Sequence, residues 1–257
     1  MTCIDVNAFL GSYPFRDLGE WNAGILLQEM ERLGITASWI SWLPAVFWRD
    51  PAAGNAHLYL ACRDEPRLRP VPAVHPGLPG WREVVREAVA LHVPCLRCDP
   101  LCYGLSTSSA EVTALLAASA EHGLPLMMAV RLEDVRQRHP NDSTSELSPA
   151  MVRTMIRSHP QARLIITHAD REFIEQVHFG ATPEEATRIL WDISWIWGPP
   201  EDHLETLLET VGITRFTFGT GTPLRLPEAS VAKLDLLRLG ADDRQRIEAG
   251  NLRAFLA

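Results

Sequence analysis

The sequence predicts an α/β fold, a single (β/α)8 TIM barrel that extends over residues 1–257. Three observations lead to this fold class. Segments typical of strands and helices alternate eight times, the strand segments are short and apolar, as strands buried on both faces should be, and the connections between them are short. Eight repeats in about 250 residues favour a closed barrel over an open sheet.

The predicted strands are rich in branched and aromatic residues. In chain order they are Ile4 to Phe9, Ala37 to Leu43, Arg69 to His75, Val93 to Asp99, Leu126 to Leu132, Arg163 to Ala169, Leu190 to Ile196 and Arg215 to Thr220. Because strand ends converge on one face of a barrel, the polar residues at these ends are candidates for a functional site.

The predicted helices have apolar residues at helical spacing. They are Trp21 to Leu33, Trp81 to Leu91, Ser109 to Glu121, Pro149 to Ser158, Pro183 to Ile189, Asp202 to Val211, Glu228 to Leu239 and a closing helix, Asp242 to Leu256. Thr182, followed by Pro183 and two glutamates, is typical of a helix start. Gly34, Gly123 and Gly212 each follow a predicted helix and fit a left-handed C-cap.

An open, doubly wound sheet is the alternative fold. Such sheets bind dinucleotides at a Gly-x-Gly-x-x-Gly turn, and no such turn follows any predicted strand.

One segment interrupts the alternation, because residues 136–147 are polar and include Pro140. It predicts a long loop after the fifth strand, and in barrels such loops lie on the catalytic face.

The composition limits the classes of partner. A formal net charge of −8 argues against binding nucleic acid by bulk electrostatics, but it is compatible with a basic pocket for a small anion. The first residues lack the basic region and apolar run of a signal peptide, and no apolar run reaches the ~18 residues of a membrane span. Five cysteines, an odd number, favour a reducing compartment. We therefore expect a cytoplasmic protein without nucleic-acid or membrane partners.

Cys95 and Cys98 have the spacing of a zinc knuckle or a redox pair. A zinc site would need a second such pair, and a redox motif normally opens a helix, whereas these cysteines lie in a predicted strand. Residues three apart in a strand point to opposite faces. We therefore predict that both are small buried thiols.

Four local patterns occur in strand order. They are Asp5-Val6-Asn7-Ala8-Phe9 in the first strand, Val74-His75-Pro76-Gly77 after the third, Thr167-His168-Ala169-Asp170 after the sixth, and Gly219-Thr220-Gly221-Thr222-Pro223 after the eighth. Taken together, over essentially the whole chain, the sequence resembles the amidohydrolase superfamily, in the branch of small hydrolases, lactonases and decarboxylases. The resemblance implies a TIM barrel with its site at the strand ends, and it favours a homodimer.

The metal ligands that the resemblance implies are largely replaced. Members usually carry Asp-x-His-x-His on strand one, but the two histidine positions hold Asn7 and Phe9 here. Strand five offers no histidine, and Gly221 stands where strand eight usually carries an aspartate. Only His168 remains, so we expect no metal cofactor. The alternative is a single zinc ion at His168, with ligands relocated to two other histidines, His75 and His139.

The remaining polar strand ends suggest roles for individual residues. His168 is the candidate general base, and Asp192 or Asp170 is the carboxylate that would orient it. We assign catalytic roles to His168 and Asp192. Trp42 and Trp195 are candidates to line a pocket for a planar ligand. Substrate binding is assigned to a further set, in which arginines can hold a carboxylate: Asn7, His75, Arg97, Arg131 and His139.

Two functions of different classes fit these residues. The first, which we predict, is a metal-independent hydrolase of the amidohydrolase type, acting on a small carbonyl compound that bears a carboxylate, such as a lactone. The second is a catalytically inactive barrel that binds or regulates, in which His168 is a core residue and Arg97 and Asp99 form structural pairs with neighbouring strands. Both functions imply a small anionic molecule as the partner.

Overall fold

The computed structural model describes residues 2–142 and 144–257 and contains eight parallel strands in this range. They are β1 (Ile4–Leu10), β2 (Ala37–Trp42), β3 (Leu68–Pro70), β4 (Leu96–Arg97), β5 (Leu126–Ala129), β6 (Leu164–Thr167), β7 (Ile189–Asp192) and β8 (Phe216–Thr217). Each observed strand overlaps the predicted segment of the same rank, so the predicted α/β class is confirmed.

The strands close into a ring. Parallel ladders join β1, β2 and β3 in one sheet and β4 through β8 in a second sheet. Two further parallel bridges connect the sheets, one between Ala73 and Arg97 and the other between Ala8 and Thr222. At the second of these seams, the Phe9 amide also donates to the Thr222 carbonyl at 2.8 Å. The strand order is therefore that of a (β/α)8 barrel.

Helices surround the ring. They are α1 (Ala23–Leu33), α2 (Asn55–Cys62), α3 (Trp81–Ala90), α4 (Ala110–Glu121), α5 (Pro149–Ser158), α6 (Arg171–Phe179), α7 (Pro183–Thr187), α8 (His203–Leu207), α9 (Pro227–Leu236), α10 (Ala241–Gln245) and α11 (Asn251–Leu256). Short 3-10 turns occupy Leu43–Phe47, Pro51–Gly54, Pro100–Tyr103 and Ile213–Arg215, and π turns occupy Leu208–Gly212 and Arg246–Gly250.

The helix boundaries correct the sequence interpretation in three places. The α2 and α6 helices were not predicted, and the Asp170 carboxylate begins α6 by accepting from the Phe173 amide at 3.0 Å. The segment Pro183 to Ile189 is not all helix, because Ile189 opens β7. The predicted closing helix is divided into α10 and α11 by a π turn.

The lower half of the barrel interior is a packed apolar layer. Its residues lie in seven of the strands or directly beside them and are joined by one residue of α11: Val6, Trp39, Val71, Cys95, Met127, Ile165, Leu190 and Leu252. A second, larger core lies between the outer face of the strands and the helices. Since the amino end of the barrel is filled, polar groups of the interior gather at the carboxyl end.

The two closely spaced cysteines lie in different cores, as predicted. Cys95 belongs to the interior layer and Cys98 to the outer core, and both are fully buried. Burial raises the pKa of both thiols. In the described ranges, no helix is long and apolar enough to cross a bilayer.

The predicted long loop lies between β5 and α5 at the carboxyl end of the barrel, and Ser143 within it lies outside the described residues. Arg138 holds the loop together by donating to the Thr144 carbonyl at 2.8 Å and to the Glu146 carboxylate at 2.7 Å. The loop therefore covers part of the face where the strand ends meet.

Candidate functional site

A bulge in β1 shapes the upper interior of the barrel. Asp5 pairs with Ser38 and Ala8 pairs with Ile40, so two residues of β1 face a single residue of β2. Asn7 lies in this bulge, and its side chain reaches across the interior toward β6 and β7.

Asn7, His168 and Asp192 form one hydrogen-bonded network, in which each residue is at most 1% exposed. The Asn7 amide nitrogen donates to Asp192 Oδ2 at 2.8 Å and lies 3.0 Å from His168 Nε2. The His168 backbone amide donates to Asp192 Oδ1 at 3.1 Å. His168 adopts a left-handed backbone conformation, with φ of 57°, at the end of β6. Three strands are therefore tied together at this point.

The partners of His168 determine its tautomer. Nδ1 lies 2.8 Å from the Arg131 carbonyl, which can only accept, so Nδ1 carries the proton. The Nε2 lone pair then accepts from the Asn7 amide. Burial lowers the pKa of His168 to about 3, and the nearby guanidinium groups of Arg97 and Arg225 act in the same direction. His168 is therefore a neutral imidazole whose two nitrogens are both engaged.

The carboxylate that was expected to orient the imidazole does not contact it. Asp192 binds the backbone amide of His168, and the ring is oriented by the Arg131 carbonyl instead. The other candidate, Asp170, accepts from Arg131 Nη1 at 2.6 Å. Burial raises the pKa of Asp192.

Two glycines allow the end of β8 to approach this network. A Cβ atom at Gly219 would lie 2.6 Å from Asp192 Oδ2, and a Cβ atom at Gly221 would lie 2.9 Å from His168 Nε2. Gly221 also has a φ of +70°, a conformation that side chains rarely adopt. A side chain at position 221 is therefore disfavoured both by the lack of space and by the backbone conformation.

The residues in this region do not fit the metal set that the resemblance implies. Phe9 presents its ring face to the Arg97 guanidinium, whose carbon lies 4.6 Å from the ring centroid. The lone pair of His168 that would ligate a metal accepts the Asn7 hydrogen bond. Within residues 2–142 and 144–257, no three His, Cys, Asp or Glu side chains are grouped so as to hold a metal ion. The donor atoms gathered at these strand ends therefore do not match a resident metal ion.

The arginines assigned to substrate binding are engaged with carboxylates of the chain. Arg97 is 1% exposed and donates from Nε to Asp99 Oδ2 at 2.8 Å, while its Nη2 has no partner among the described residues. Arg131 binds Asp170 and also Glu146, at 2.9 Å. These pairs neutralise both guanidinium groups. The structural alternative expected Arg97 to pair with a neighbouring strand, whereas its carboxylate partner is Asp99, two residues further along the same segment.

In the described part of the chain, His75 and His139 are not grouped with His168 so as to hold a metal ion. His75 stacks on Tyr103 with 4.5 Å between ring centroids, and its Nδ1 accepts from the Gly77 amide. His139 stacks on Phe15 at 5.6 Å in the long loop. The alternative zinc site at three histidines therefore lacks support from the described part of the chain.

A cavity of about 660 Å³ opens at the carboxyl end, on the side of β7 and β8. Trp195, expected to line a pocket, does so, and the other walls come from the connections after β7 and β8, from α9 and from the long loop. The walls include Ser194, Trp197, Leu224, Arg225, Leu226 and Lys233. Trp42 lines a different cavity, of about 570 Å³.

Arg225 is the cation of this cavity that sequence reasoning missed. Its guanidinium carbon lies 3.4 Å from the centroid of the Trp195 ring, and no side chain in the described ranges accepts a hydrogen bond from it. Burial lowers the pKa of Arg225, and Glu133, which opposes this effect, is itself paired with Arg16 at 2.8 Å. Arg225 lies beyond β8 in a connection, so no strand-end pattern marks it. A half-buried guanidinium on an indole face can bind a carboxylate.

Comparisons with known proteins agree with this architecture. A model of the amidohydrolase family matches residues 6–257. No curated protein sequence matches the chain at a significant level.

Several solved structures share the fold. A 5-carboxyvanillate decarboxylase from Sphingomonas paucimobilis has a TM-score of 0.76 at 15% identity, over 99% of this chain and 98% of that chain. A dihydroxybenzoic acid decarboxylase from Polaromonas with bound manganese has a TM-score of 0.76 at 13% identity, over 99% and 96%. A Pseudomonas putida protein assigned as a 2-pyrone-4,6-dicarboxylic acid hydrolase has a TM-score of 0.72 at 16% identity, over 99% and 97%.

Proposed function

This chain belongs to the amidohydrolase family, and we propose that its barrel binds a small organic anion rather than hydrolysing one. Of the two functions that the sequence leaves open, the geometry favours the binding or regulatory barrel over the metal-independent hydrolase.

The observation that carries this proposal is the engaged lone pair of His168. A general base must accept a proton from water or substrate, which requires a free lone pair within reach. In this chain Nε2 accepts from Asn7, the side chain is fully buried, and its pKa lies at about 3. Asp192 is equally buried and binds Asn7 and the His168 amide. Neither residue is placed to activate water.

The ligand class follows from Arg225 and Trp195. The Arg225 guanidinium, which lines the cavity, offers a carboxylate charge-assisted hydrogen bonds, while the indole and the neighbouring leucines favour an apolar or planar body. The names of the structural relatives point to the same class, because 5-carboxyvanillate and 2-pyrone-4,6-dicarboxylate are planar carboxylates. We place the carboxylate at Arg225.

We further propose that binding needs no metal ion. A relative binds manganese, but the side chains of this chain at the implied ligand positions are an amide, a phenyl ring and a glycine. Metal analysis of protein purified without chelators tests this directly. About one equivalent of zinc or manganese per chain would contradict it.

Binding and turnover are separated by one set of measurements. The protein is incubated with 5-carboxyvanillate and 2-pyrone-4,6-dicarboxylate, with and without added Mn²⁺, while dialysis measures binding and absorbance measures loss of the ligand. We expect binding without turnover, and a loss in affinity of roughly ten-fold or more in Arg225→Met. Arg136→Met is the matched control, because Arg136 lines the same cavity but is paired with Asp134.

Two results would overturn the proposal. One is turnover of either ligand that disappears in His168→Gln, since that would make the buried network catalytic. The other is equal affinity in the wild-type protein and Arg225→Met, which would remove the anion site from this cavity.

A further inference from the structure

Lys233 is the single lysine of this chain, and all the other Lys and Arg positions are arginines. It lies in α9 and lines the same 660 Å³ cavity as Arg225 and Trp195. Its stem packs on Gly198, where an added Cβ would lie 2.6 Å from Lys233 Cγ. The one amine side chain of the protein therefore lines the cavity that holds Arg225 and Trp195.

The surroundings of the Lys233 nitrogen are unusual for a surface lysine. Nζ donates to the Ile193 carbonyl at 2.8 Å and to the Ser194 carbonyl at 3.0 Å. No carboxylate pairs with it among the described residues. A neutral amine has two hydrogens, and the two carbonyls accept both. Its lone pair then occupies a tetrahedral position that these hydrogen bonds leave open.

The lowered pKa of Lys233 makes this neutral amine more accessible than in a solvated lysine. Burial lowers the pKa of Lys233 to about 8, the charge of Arg225 acts in the same direction, and Asp192 opposes both. Lysines that are desolvated beside another cation are the ones that act as nucleophiles toward carbonyl groups. An arginine at this position would stay protonated and could not do so.

We propose that Lys233 captures the carbonyl group of a 2-oxo acid as an imine, with the carboxylate of the ligand held by Arg225. The Nζ lone pair attacks the carbonyl carbon and forms a C–N bond, and the carbonyl oxygen takes a proton. The carbinolamine then loses water, which carries away that oxygen, and the C=N bond remains. The step needs no oxidant or reductant. It rests on the proposed function for the binding of the carboxylate, and it adds a reversible covalent bond to that binding.

The alternative role for Lys233 is structural, as a charged clamp on the two carbonyls after β7. A clamp would remain protonated and would form no adduct. The two roles therefore differ in chemistry and not only in stability.

Reductive trapping distinguishes them. The full-length protein is incubated with benzoylformate and sodium cyanoborohydride, and intact mass and peptide mapping follow the adduct. We expect one adduct per chain at Lys233 in addition to any background at the amino terminus. Trapping should increase as the pH rises through about 8, where the amine loses its proton.

Variants provide the matched controls. Lys233→Met keeps the length of the stem, Lys233→Arg keeps the charge, and both should lose the adduct while thermal melts report that they are folded. A double variant, Lys233→Met with Arg253→Lys, moves the single lysine to an exposed position on α11. It should also give no adduct above background at pH 7, because a solvated lysine is protonated there. Trapping in this double variant that equals trapping in the wild-type protein would overturn the proposal.

A second probe separates this inference from the proposed function. Benzaldehyde offers a carbonyl without a carboxylate. If benzoylformate binds in dialysis but is not trapped, the imine is excluded and the anion site stands. If both probes are trapped equally at Lys233, the amine is a nucleophile and the role of Arg225 in holding a carboxylate is excluded.

Discussion

Asn7 and His168 are 161 positions apart in the chain, yet their side chains meet at 3.0 Å between Nδ2 and Nε2. The amide hydrogen lies where the lone pair of a ligating histidine would meet a metal ion. An amide of this chain therefore satisfies an acceptor that a cation satisfies in metal-binding barrels.

Replacing Asn7 by leucine should destabilise the fold. The change keeps the approximate volume but leaves His168 Nε2 and Asp192 Oδ2 without their shared donor in a fully buried setting. We expect a loss of about 2–4 kcal/mol in the free energy of unfolding, measured by urea denaturation. Asn141→Leu in the exposed loop is the control and should change stability by less than about 0.5 kcal/mol. Equal effects would show that the network contributes nothing specific.

Introducing the family's aspartate at position 221 should not restore a metal site. In Gly221→Asp the new Cβ would lie 2.9 Å from His168 Nε2, and the backbone φ is +70°. Gly19→Asp is matched to it, because Gly19 has a φ of +72° and no atom within 4 Å of an added Cβ. We expect a cost of about 1 kcal/mol at position 19 and clearly more at position 221. Tight manganese binding by Gly221→Asp would contradict our account of this region.

The depressed pKa of His168 gives a pH dependence of known sign. The unfolded chain takes up a proton near pH 6.5, whereas the folded chain takes it up only near pH 3. Acidification between these values therefore favours unfolding, and His168→Gln lacks this effect. The stability difference between the wild-type protein and the variant should shrink by about 2 kcal/mol from pH 7.5 to pH 5. A constant difference would mean that the imidazole has the same pKa in the folded and unfolded chains.

The pH dependence of stability that arises from Asp5 should have the opposite sign to that from His168. Burial raises its pKa from 3.8 to about 6, although Thr220 and the Asn7 amide donate hydrogen bonds to it. Stability from the protonated carboxyl is present at low pH and is lost as the pH rises through 6. Relative to the wild-type protein, Asp5→Asn should gain about 2–3 kcal/mol between pH 4 and pH 8, as measured by urea denaturation at both values. No relative gain would mean that the Asp5 carboxyl has the same pKa in the folded and unfolded chains.

The sequence was sufficient for the ring of strands because each strand is a separate apolar run. In β6, for example, the predicted segment Arg163 to Ala169 contains the observed Leu164–Thr167. Helix α6 was missed because its apolar residues, Phe173, Ile174 and Val177, form a short stripe directly after the strand-ending His168 and Asp170. Local patterns define where an element is possible, and tertiary packing decides which of them forms.

The site was less accessible to sequence reasoning. Asn7, His168 and Arg97 were recognised from their strand ends, but their mutual bonds join distant positions and could not be derived from spacing. Arg225 and Lys233 follow β8, in a connection and a helix, where no periodic pattern distinguishes a cavity wall from a solvated surface. The engagement of Arg131 with two carboxylates likewise depends on where the long loop folds.

The weak backbone pairing between β8 and β1 affects how the barrel opens locally. Backbone pairing there is a single bridge with a few flanking hydrogen bonds. We therefore expect local opening of the barrel to begin at this seam. Asn7 spans the seam from β1 to Asp192 on β7, and Asp5 spans it to Thr220. These side-chain hydrogen bonds therefore stabilise a seam that has little backbone pairing. Amide exchange at Phe9 and Gly221, whose N–H groups bond across the seam, would therefore measure how well these side chains stabilise it.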